Sequence, residues 1–474
     1  MTPETRKKLQ EVANRVPRNT NGQWKPEKTK KAKTPAATPA NEPPHKAPDA
    51  IDVYYDAGAK SFWAKNGAGE WQEVSKENLG LILRASWYST SLKLTNSLTI
   101  LESKLLEIIQ HNCVHFAGKI AGWKPGLAAI CGENVLVTRG PRIVAPKRGP
   151  FPLIKRFVAE LLRDQGLYFY AWMKSAYNAL REGAPFAPGQ LLAIAGPVGS
   201  GKSLMQMLVT EMLGGRMSKP YRYLSGQTPF NGDMIASEHL CIEDEFAKTD
   251  IRTRRFFGAA LKSLLVNKSQ SAHPKGRPAF TTEPFWRVTM TLNDEPEALM
   301  ILPPLDGDLA DKVTLLQASE ASKPYPSKEL PTMAAYWAAL KAEIPAYLAA
   351  LARWEIPKEI RDIRYGVVAF HNAELLRKLT SLSPEVKLWQ LILQCGLLDN
   401  AMMGWSGSSI DLEKELIERD RTGQLKDLLY YPTACGYYLA RLAKSMPDNV
   451  EREELRANQL IFHLARNAKT TLGI

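Results

Sequence analysis

The most constraining feature of this chain is a glycine-rich loop that stands between an apolar run and a helical segment. The apolar run covers residues 191–195, a length typical of a buried strand, and residues 204–213 have the composition of a helix. The pattern between them is G-x-x-x-x-G-K-S, formed by Gly196, Pro197, Val198, Gly199, Ser200, Gly201, Lys202 and Ser203. Such a pattern predicts a phosphate-binding loop when a strand precedes it and a helix follows it, and both flanks are present.

The residue types in this phosphate loop match the chemistry of nucleotide binding. Glycines let backbone N–H groups turn inward around a β-phosphate, and the N-terminus of the following helix favours negative charge. Lys202 is predicted to reach the β- and γ-phosphates, and the Ser203 hydroxyl is placed for Mg²⁺. We therefore expect the whole loop to bind ATP and the chain to use ATP and Mg²⁺ as cofactors.

Three acidic residues follow the next short apolar segment, which covers residues 239–242. They are Glu243, Asp244 and Glu245. Carboxylates at the end of a buried strand are costly unless a metal ion or water compensates them. We predict that Asp244 holds Mg²⁺ through water and that Glu245 polarises the attacking water. If the register of the strand end is shifted by one residue, Glu243 and Asp244 take these two roles instead. The alternative to a metal site is a solvated acidic loop.

A third apolar segment, residues 285–292, ends at Asn293. The segment is predicted to be a strand, because it is rich in β-branched and aromatic residues. An amide at its end is suited to orienting the attacking water or contacting the γ-phosphate. Its position after the phosphate loop and the acids, in that order, makes Asn293 a candidate catalytic residue.

A basic stretch lies between the acids and Asn293. Its cationic residues are Arg252, Arg254, Arg255, Lys262, Lys268, His273, Lys275 and Arg277. Residues 261–265 are predicted to be helical, and 269–278 have the proline and glycine of an exposed hairpin. Contacts with a nucleic-acid backbone are independent of sequence and sensitive to salt. The predicted DNA contacts are Lys268, His273, Lys275 and Arg277, and an ordinary solvated basic loop is the alternative.

The overall charge agrees with a polyanionic partner. Lys and Arg total 62 against 49 Asp and Glu, which gives a net charge of +13. Residues 1–50 are rich in Pro, Lys and Ala, so we expect a disordered basic arm that is either solvated or in contact with nucleic acid. The sequence has no long apolar run, no apolar signal core and no paired cysteines. We therefore expect the protein in the cytoplasm and expect no membrane contact.

The expected fold is α/β with four segments. They are the arm at 1–50, a small α+β module at 51–152, an ATPase core with its helical lead-in at 153–330, and a helical region at 331–474. Within the module, we expect strands over 51–71, helix over 79–122 and a strand pair at 134–138 and 142–144; the lead-in at 153–183 is predicted to be helical.

The helical region has two interpretations. Thr433 is a plausible N-cap for a helix on which Tyr437, Arg441 and Lys444 share one face. A winged-helix module places one such helix in a DNA groove. The alternative is a helical lid that packs on the ATPase core.

The order of the central elements resembles that of superfamily 3 helicases, an AAA+ branch of the P-loop NTPases. The phosphate loop, the acids, the basic stretch at 262–277 and Asn293 look like the four successive motifs of that superfamily. More closely, residues 130–460 resemble the helicase part of primase-helicases of phages and mobile elements. Further blocks of the resemblance are Pro188-Gly189-Gln190, Thr228-Pro229-Phe230-Asn231, Leu302-Pro303-Pro304-Leu305 and Asp311-Lys312.

The resemblance implies a homo-oligomeric ring, with a hexamer favoured. The ring would hydrolyse ATP to move along or unwind DNA, and the DNA that it binds would be single-stranded. It implies that Lys275 is the translocating DNA contact and that the protein acts in the bacterial host cytoplasm. Any primase or polymerase would be a separate chain, because the N-terminal module has no paired-carboxylate motif. Two alternatives remain: an AAA+ ATPase that remodels or senses, for example in anti-phage defence, and a nucleotide-dependent scaffold with little turnover.

One part of the chain departs from the superfamily pattern. Many members have an arginine pair after the asparagine motif, which acts on a neighbouring subunit's ATP, whereas this chain has Asp311-Lys312-Val313. A lysine supplies charge without the bidentate fork of arginine. The candidates for this trans-acting residue are Lys312, Arg252, Arg254 and Arg255.

Overall fold

The computed structural model describes most of the chain after residue 51. The described residues are 52–86, 88, 90, 93–95, 98–183, 188–243, 251–303, 305, 307–321, 327–381, 383–399, 404–420, 423–454 and 460–465, with the backbone alone at 93–95, 251–255, 307 and 308. The basic arm at 1–50 lies outside them, and so do Asp244 and Glu245.

The first described segment is a small α+β unit. Its elements are β1 (Val53–Asp56), β2 (Ser61–Lys65), β3 (Trp71–Val74), α1 (Lys76–Ala85), β4 (Lys93–Thr95), β5 (Leu98–Thr99), α2 (Ile100–His111) and β6 (Cys113–Val114). One sheet has the order β3-β2-β1-β6, which confirms the strands expected over 51–71. The helix expected over 79–122 is confirmed only within α1 and α2: β4 and β5 lie between these helices, and beyond His111 β6 pairs in parallel with β1. This long-range pairing outweighs local helical spacing.

A second, three-stranded sheet follows with the order β7-β9-β8. Its strands are β7 (Phe116–Gly118), β8 (Gly126–Ile130) and β9 (Glu133–Val137). The strand expected at 134–138 is confirmed, but its partner is β8 and residues 142–144 form no strand. Buried side chains of this sheet share a hydrophobic core with the large sheet described below, whereas β1, β2 and the two helices have a small core of their own. We refer to residues 52–137 as the N-terminal module.

Two helices lead into the central sheet, as predicted for 153–183. They are α3 (Pro152–Leu162) and α4 (Gly166–Glu182). In α3, Ile154, Phe157, Val158 and Leu161 are buried, and their spacing of three and four residues places them on one face.

The central sheet contains five parallel strands in the order β11-β12-β15-β10-β16. The elements of this region are β10 (Leu191–Ala195), α5 (Lys202–Met212), β11 (Met217–Ser218), α6 (Tyr221–Leu224), α7 (Gly232–Ile235), β12 (His239–Ile242), α8 (Ile251–Val266), β13 (Gln270–Ala272), β14 (Phe280–Thr282), β15 (Arg287–Leu292), α9 (Pro296–Leu299) and β16 (Val313–Gln317). Every residue of β10, β12 and β15 is buried, as expected for a parallel sheet covered on both faces. The predicted strands, helices and β13–β14 hairpin are confirmed, and the carboxyl ends of β10, β12 and β15 meet at one edge.

The core of the sheet continues beyond residue 330, where a segment boundary was expected. Helix α10 (Met333–Arg353) contributes Tyr336, Leu340 and Ile344 to the same hydrophobic cluster as α3, α4 and β10. Helix α11 (Ala373–Ser381) follows. The first long helix of the C-terminal region is therefore part of the central core.

The last part of the chain has a separate hydrophobic core. Its elements are α12 (Pro384–Gln394), β17 (Trp405–Gly407), α13 (Ser409–Arg419), α14 (Gln424–Leu428), α15 (Ala434–Ser445), β18 (Val450–Glu454) and β19 (Leu460–Leu464), with the sheet order β17-β19-β18. The helix after Thr433 is confirmed, but the three strands were not foreseen. Strand β18 has the sequence VEREE and exposes four of its five residues, so it lacks the alternation that marks a strand. No helix in the described part of the chain is long and apolar enough to cross a membrane.

Candidate functional site

The phosphate loop begins where β10 ends, and its backbone requires glycine at three positions. A Cβ atom on Gly196 would lie 2.5 Å from the carbonyl oxygen of Ala318, so no side chain fits there. Gly199 and Gly201 have φ angles of 79° and 113°, which are strained for other residues. Gly201 immediately precedes Lys202, the first residue of α5.

The Lys202 side chain folds back into the loop. Its Nζ donates to the carbonyl oxygens of Gly196 at 2.7 Å and Pro197 at 2.8 Å, and lies 3.4 Å from Oδ1 of Asn293. The ammonium has three N–H donors, and the two loop carbonyl oxygens and the Asn293 amide oxygen surround it. The structure thus brings together Lys202 and Asn293, which the sequence separates by 91 positions.

Two serines of the loop differ in environment. Ser200 is 1% exposed, and its Oγ has no hydrogen-bond partner among the described residues. A buried hydroxyl without a partner costs free energy that a ligand oxygen can recover. Ser203 is exposed in the first turn of α5, where a helix N-terminus favours an anion and its counter-ion. Both serines fit a bound phosphate group.

Both serines line a cavity of about 220 Å³ at the helix N-terminus. The wall opposite the loop consists of Phe157 from α3 with Ala321, Met333 and Tyr336. Sequence reasoning missed these residues, because an apolar residue at helical spacing looks the same whether it faces a core or a ligand. The only available signal was the position of Phe157 in the helix that leads into the loop strand.

Of the three acids, the structure describes Glu243 alone. It follows β12 directly, and its carboxylate accepts a hydrogen bond from Nζ of Lys219 at 2.6 Å. Strand β12 lies beside β15, with Ile242 paired to Met290, so Glu243 lies at the same edge of the sheet as Asn293. The roles of Glu243, Asp244 and Glu245 stay predictions, since the last two lie outside the described residues.

A buried polar network joins α5 to the strands that end at the acids and at Asn293. The Gln206 amide donates to Oγ1 of Thr289 at 2.9 Å and to the carbonyl oxygen of Ile242 at 3.3 Å, and accepts from Thr291 at 3.3 Å. Behind it, His239 connects Thr210, at 2.7 Å, to Thr289, at 2.9 Å. The network links the helix of the phosphate loop to both strand ends.

His239 makes the stability of this network dependent on pH. Burial lowers the pKa of its imidazole from 6.5 to about 3. Between these values the unfolded chain binds a proton that the folded chain does not, so the contribution of His239 to stability is complete above pH 6.5 and falls as the pH falls toward 3.

Between pH 7.5 and 5.5, we expect the free energy of unfolding of the wild type, measured in urea, to fall by about 1.4 kcal/mol more than that of His239→Gln. His111→Gln, at the exposed end of α2, is the matched control, and equal losses in all three proteins would contradict a neutral buried His239.

The hairpin formed by β13, β14 and their connection (residues 270–282) presents Lys275 at its tip. The backbone N–H of Arg277 donates to the carbonyl oxygen of Pro274 at 3.2 Å and closes a tight turn, and Lys275 is exposed within it. The His273 ring lies 5.0 Å from the ring of Phe230, which is 38% exposed. An aromatic ring and an imidazole are therefore neighbours at the hairpin, and the exposed Lys275 follows the imidazole by two residues.

The other two predicted DNA contacts are paired within the protein. Lys268 lies 3.3 Å from a carboxylate oxygen of Glu283 on the surface. Arg277 turns away from the tip and lies 3.0 Å from the buried carboxylate of Asp56 in the N-terminal module. Pairing of this kind competes with a phosphate contact, most strongly for Arg277.

The structure separates the candidates for the trans-acting residue. Lys312 is 7% exposed, and its Nζ lies 2.5 Å from Oδ1 of Asp311. A residue that reaches a neighbouring subunit must project from the surface, so the buried Lys312 does not suit this role. Arg252, Arg254 and Arg255 belong to α8, and their side chains lie outside the described residues.

Comparison with known proteins agrees with the fold. A family of unknown function, DUF5906, matches residues 194–307, which include the phosphate loop and the hairpin. No curated protein matches the sequence. Two apo structures of the NrS-1 C-terminal region are similar with a TM-score of 0.53 and 11% identity, and the similarity covers 88% of this chain and 97% or 96% of theirs.

The chain thus shares the fold of the NrS-1 C-terminal region, a mixed α/β architecture around a parallel sheet. A JCV helicase structure is similar at 16% identity over 50% of this chain and 61% of that one, with a TM-score of 0.24. At these identities the function has to be argued from the chemistry of the site.

Proposed function

We propose that the chain is a P-loop ATPase of the AAA+ type that uses ATP hydrolysis to move along or unwind DNA. The observation that carries the proposal is the meeting of Lys202 and Asn293 beneath a loop whose Ser200 hydroxyl lacks a partner among the described residues. A cation, an amide and an unsatisfied hydroxyl in one glycine-rich loop are suited to a polyphosphate.

The strand order supports this assignment. Strand β15 lies between β10 and β12, so Asn293 stands between the phosphate loop and Glu243 at one edge of the sheet. In open parallel sheets, ligands bind outside the carboxyl ends of the strands. This placement supports a site in which a cation, an amide and the acids act on one ligand.

Each residue has a proposed task. Bound ATP with Mg²⁺ supplies the γ-phosphoryl group that water attacks. Lys202 compensates its negative charge, Ser203 and Asp244 hold the metal, and Asn293 orients the water. Glu245 polarises that water, and Glu243 takes this part if the register shifts by one residue. The aromatic wall of Phe157 and Tyr336 is suited to the adenine base.

The nucleic-acid contact is proposed to be the hairpin tip. Lys275 is exposed there, and Phe230, which contacts the His273 ring, offers an exposed ring on which a base can stack. Contacts with single-stranded DNA at this tip would be made by each subunit of a ring, with a hexamer favoured. In that ring, Arg252, Arg254 or Arg255 is the proposed residue that reaches a neighbour's ATP.

ATP hydrolysis with and without single-stranded DNA tests this proposal. We expect DNA to stimulate hydrolysis, and we expect Lys275→Ala to bring the stimulated rate down to the DNA-free rate. Loss of one phosphate contact also reduces the slope of log affinity against log salt by about 0.7. Lys358→Ala, at an exposed lysine remote in sequence from the hairpin, is the matched control. Hydrolysis that DNA leaves unchanged would contradict the translocase and favour an ATPase that remodels or senses.

A further inference from the structure

One side of the hairpin is attached to the N-terminal module through a fully buried carboxylate. Asp56 is 0% exposed, and it accepts hydrogen bonds from the backbone N–H groups of Gly58 at 3.0 Å, Ala59 at 3.1 Å and Ala117 at 3.1 Å. Its fourth partner is Nη1 of Arg277, at 3.0 Å. These four donors compensate a charge that is otherwise costly to bury.

Arg277 makes further contacts with the same module. Its Nη1 also donates to the carbonyl oxygen of Ala117 at 3.1 Å, and its guanidinium lies 5.5 Å from the centre of the Phe116 ring. Phe116 in turn stacks on Phe280 of the hairpin, with ring centres 4.3 Å apart. The connection is therefore held by the ion pair of Arg277, and the second arm of the hairpin is held by the aromatic stack of Phe280.

The first arm is held by Asn231, which is 2% exposed. Its amide donates to the carbonyl oxygen of Ser271 at 2.7 Å and accepts from the backbone N–H of His273 at 2.6 Å. Its own backbone N–H donates to the carbonyl oxygen of His273 at 3.2 Å. With both arms held, the turn that carries Lys275 has a defined position.

We propose that Asp56 and Arg277 are positioning residues, through which the N-terminal module holds the hairpin and presents Lys275 to nucleic acid. The inference rests on the proposed function for the role of Lys275, but the attachment itself does not. If Arg277 moved to a phosphate, Asp56 would keep a buried charge without its cation, which is strongly unfavourable. The charge of Arg277 thus serves the attachment and does not serve a direct DNA contact.

The two roles of Arg277 predict opposite effects of Asp56→Asn. This change removes the buried charge and places an amide donor or a weaker acceptor opposite Arg277. If Arg277 contacted DNA, its release from Asp56 would raise the affinity for DNA. If Arg277 holds the hairpin, the same release loosens the tip and lowers the affinity.

Hydrogen exchange of the full chain without nucleotide or DNA measures the attachment directly. We expect peptides from residues 270–282 to exchange at least about tenfold faster in Asp56→Asn and in Arg277→Met, while peptides from β10 are unchanged. Asp52→Asn is the matched control, because Asp52 pairs with Lys65 on the exposed surface of the same module. If Asp56→Asn does not fold, Arg277→Met carries the test.

Binding of a labelled single-stranded oligonucleotide completes the design. We expect Asp56→Asn to weaken binding and Asp52→Asn to leave it unchanged. Unchanged hairpin exchange in both Asp56→Asn and Arg277→Met overturns the proposal, and so does tighter DNA binding by Asp56→Asn. A third outcome separates the two proposals. If the hairpin exchanges faster in Asp56→Asn and Arg277→Met, but neither these variants nor Lys275→Ala change DNA binding, the attachment is supported and the proposed function is contradicted.

Discussion

Lys202→Ala is expected to lower the rate of ATP hydrolysis by at least about a hundredfold, the loss typical when a charge-stabilising group is removed from a reaction centre. The Lys202 ammonium lies inside the phosphate loop, within hydrogen-bond distance of two carbonyl oxygens and 3.4 Å from Asn293. Alanine leaves the loop without the cation that is proposed to compensate the charge of the transferring phosphate. The measurement is phosphate release at saturating Mg·ATP.

The same variant tests nucleotide binding through stability. A ligand at a hundred times its dissociation constant stabilises the folded state by about 2.7 kcal/mol. We expect Mg·ATP to raise the melting temperature of the wild type and to raise that of Lys202→Ala much less. Lys155→Ala, on the exposed face of α3, is the matched control and should behave as the wild type. Hydrolysis by Lys202→Ala within about threefold of the wild type would exclude an ATP-driven mechanism.

Asn293→Ala is expected to lower kcat by about a hundredfold while KM changes by less than about threefold, because the proposed contact of Asn293 with water strengthens only in the transition state. The side chain stands at the end of β15, beside the Lys202 ammonium. Steady-state kinetics of Mg·ATP hydrolysis separate the two constants.

The matched control for that variant is Asn267→Ala. Asn267 follows α8, where its amide donates to the Ser263 hydroxyl at 2.8 Å on the surface. We expect kcat and KM of this control to equal those of the wild type. A raised KM with unchanged kcat in Asn293→Ala would mean that Asn293 binds nucleotide without orienting water. Wild-type values for both constants would exclude it from the site.

Much of the central sheet was predictable because its elements carry strong local signals. The phosphate loop needs glycine at defined positions, and the apolar run of β10 is too short for a helix of ordinary length. The sequence predicted separate roles for Lys202 and Asn293 at the phosphates and the attacking water, and the structure added their contact. The order of strands was not predicted, since no local pattern says that β15 lies between β10 and β12.

Two cations were misjudged from the sequence, because their surroundings depend on the tertiary structure. Arg277 looked like a surface cation on an exposed hairpin, and its partner Asp56 is 221 positions away. Lys312 was expected at a subunit surface, and it is buried beside Asp311. In both cases the sequence shows that the side chain is charged, but it does not show whether that side chain is exposed to solvent.

The sequence by itself determined which chemistry is predicted for this protein. A loop of glycines, a lysine and a serine between a strand and a helix leaves few alternatives to a phosphate site, because backbone geometry and charge are local properties. The tertiary structure alone decided that Phe157 and Tyr336 face the cavity and that Arg277 belongs to the N-terminal module. These assignments depend on burial and on pairing between distant segments, which the packing of the whole chain creates.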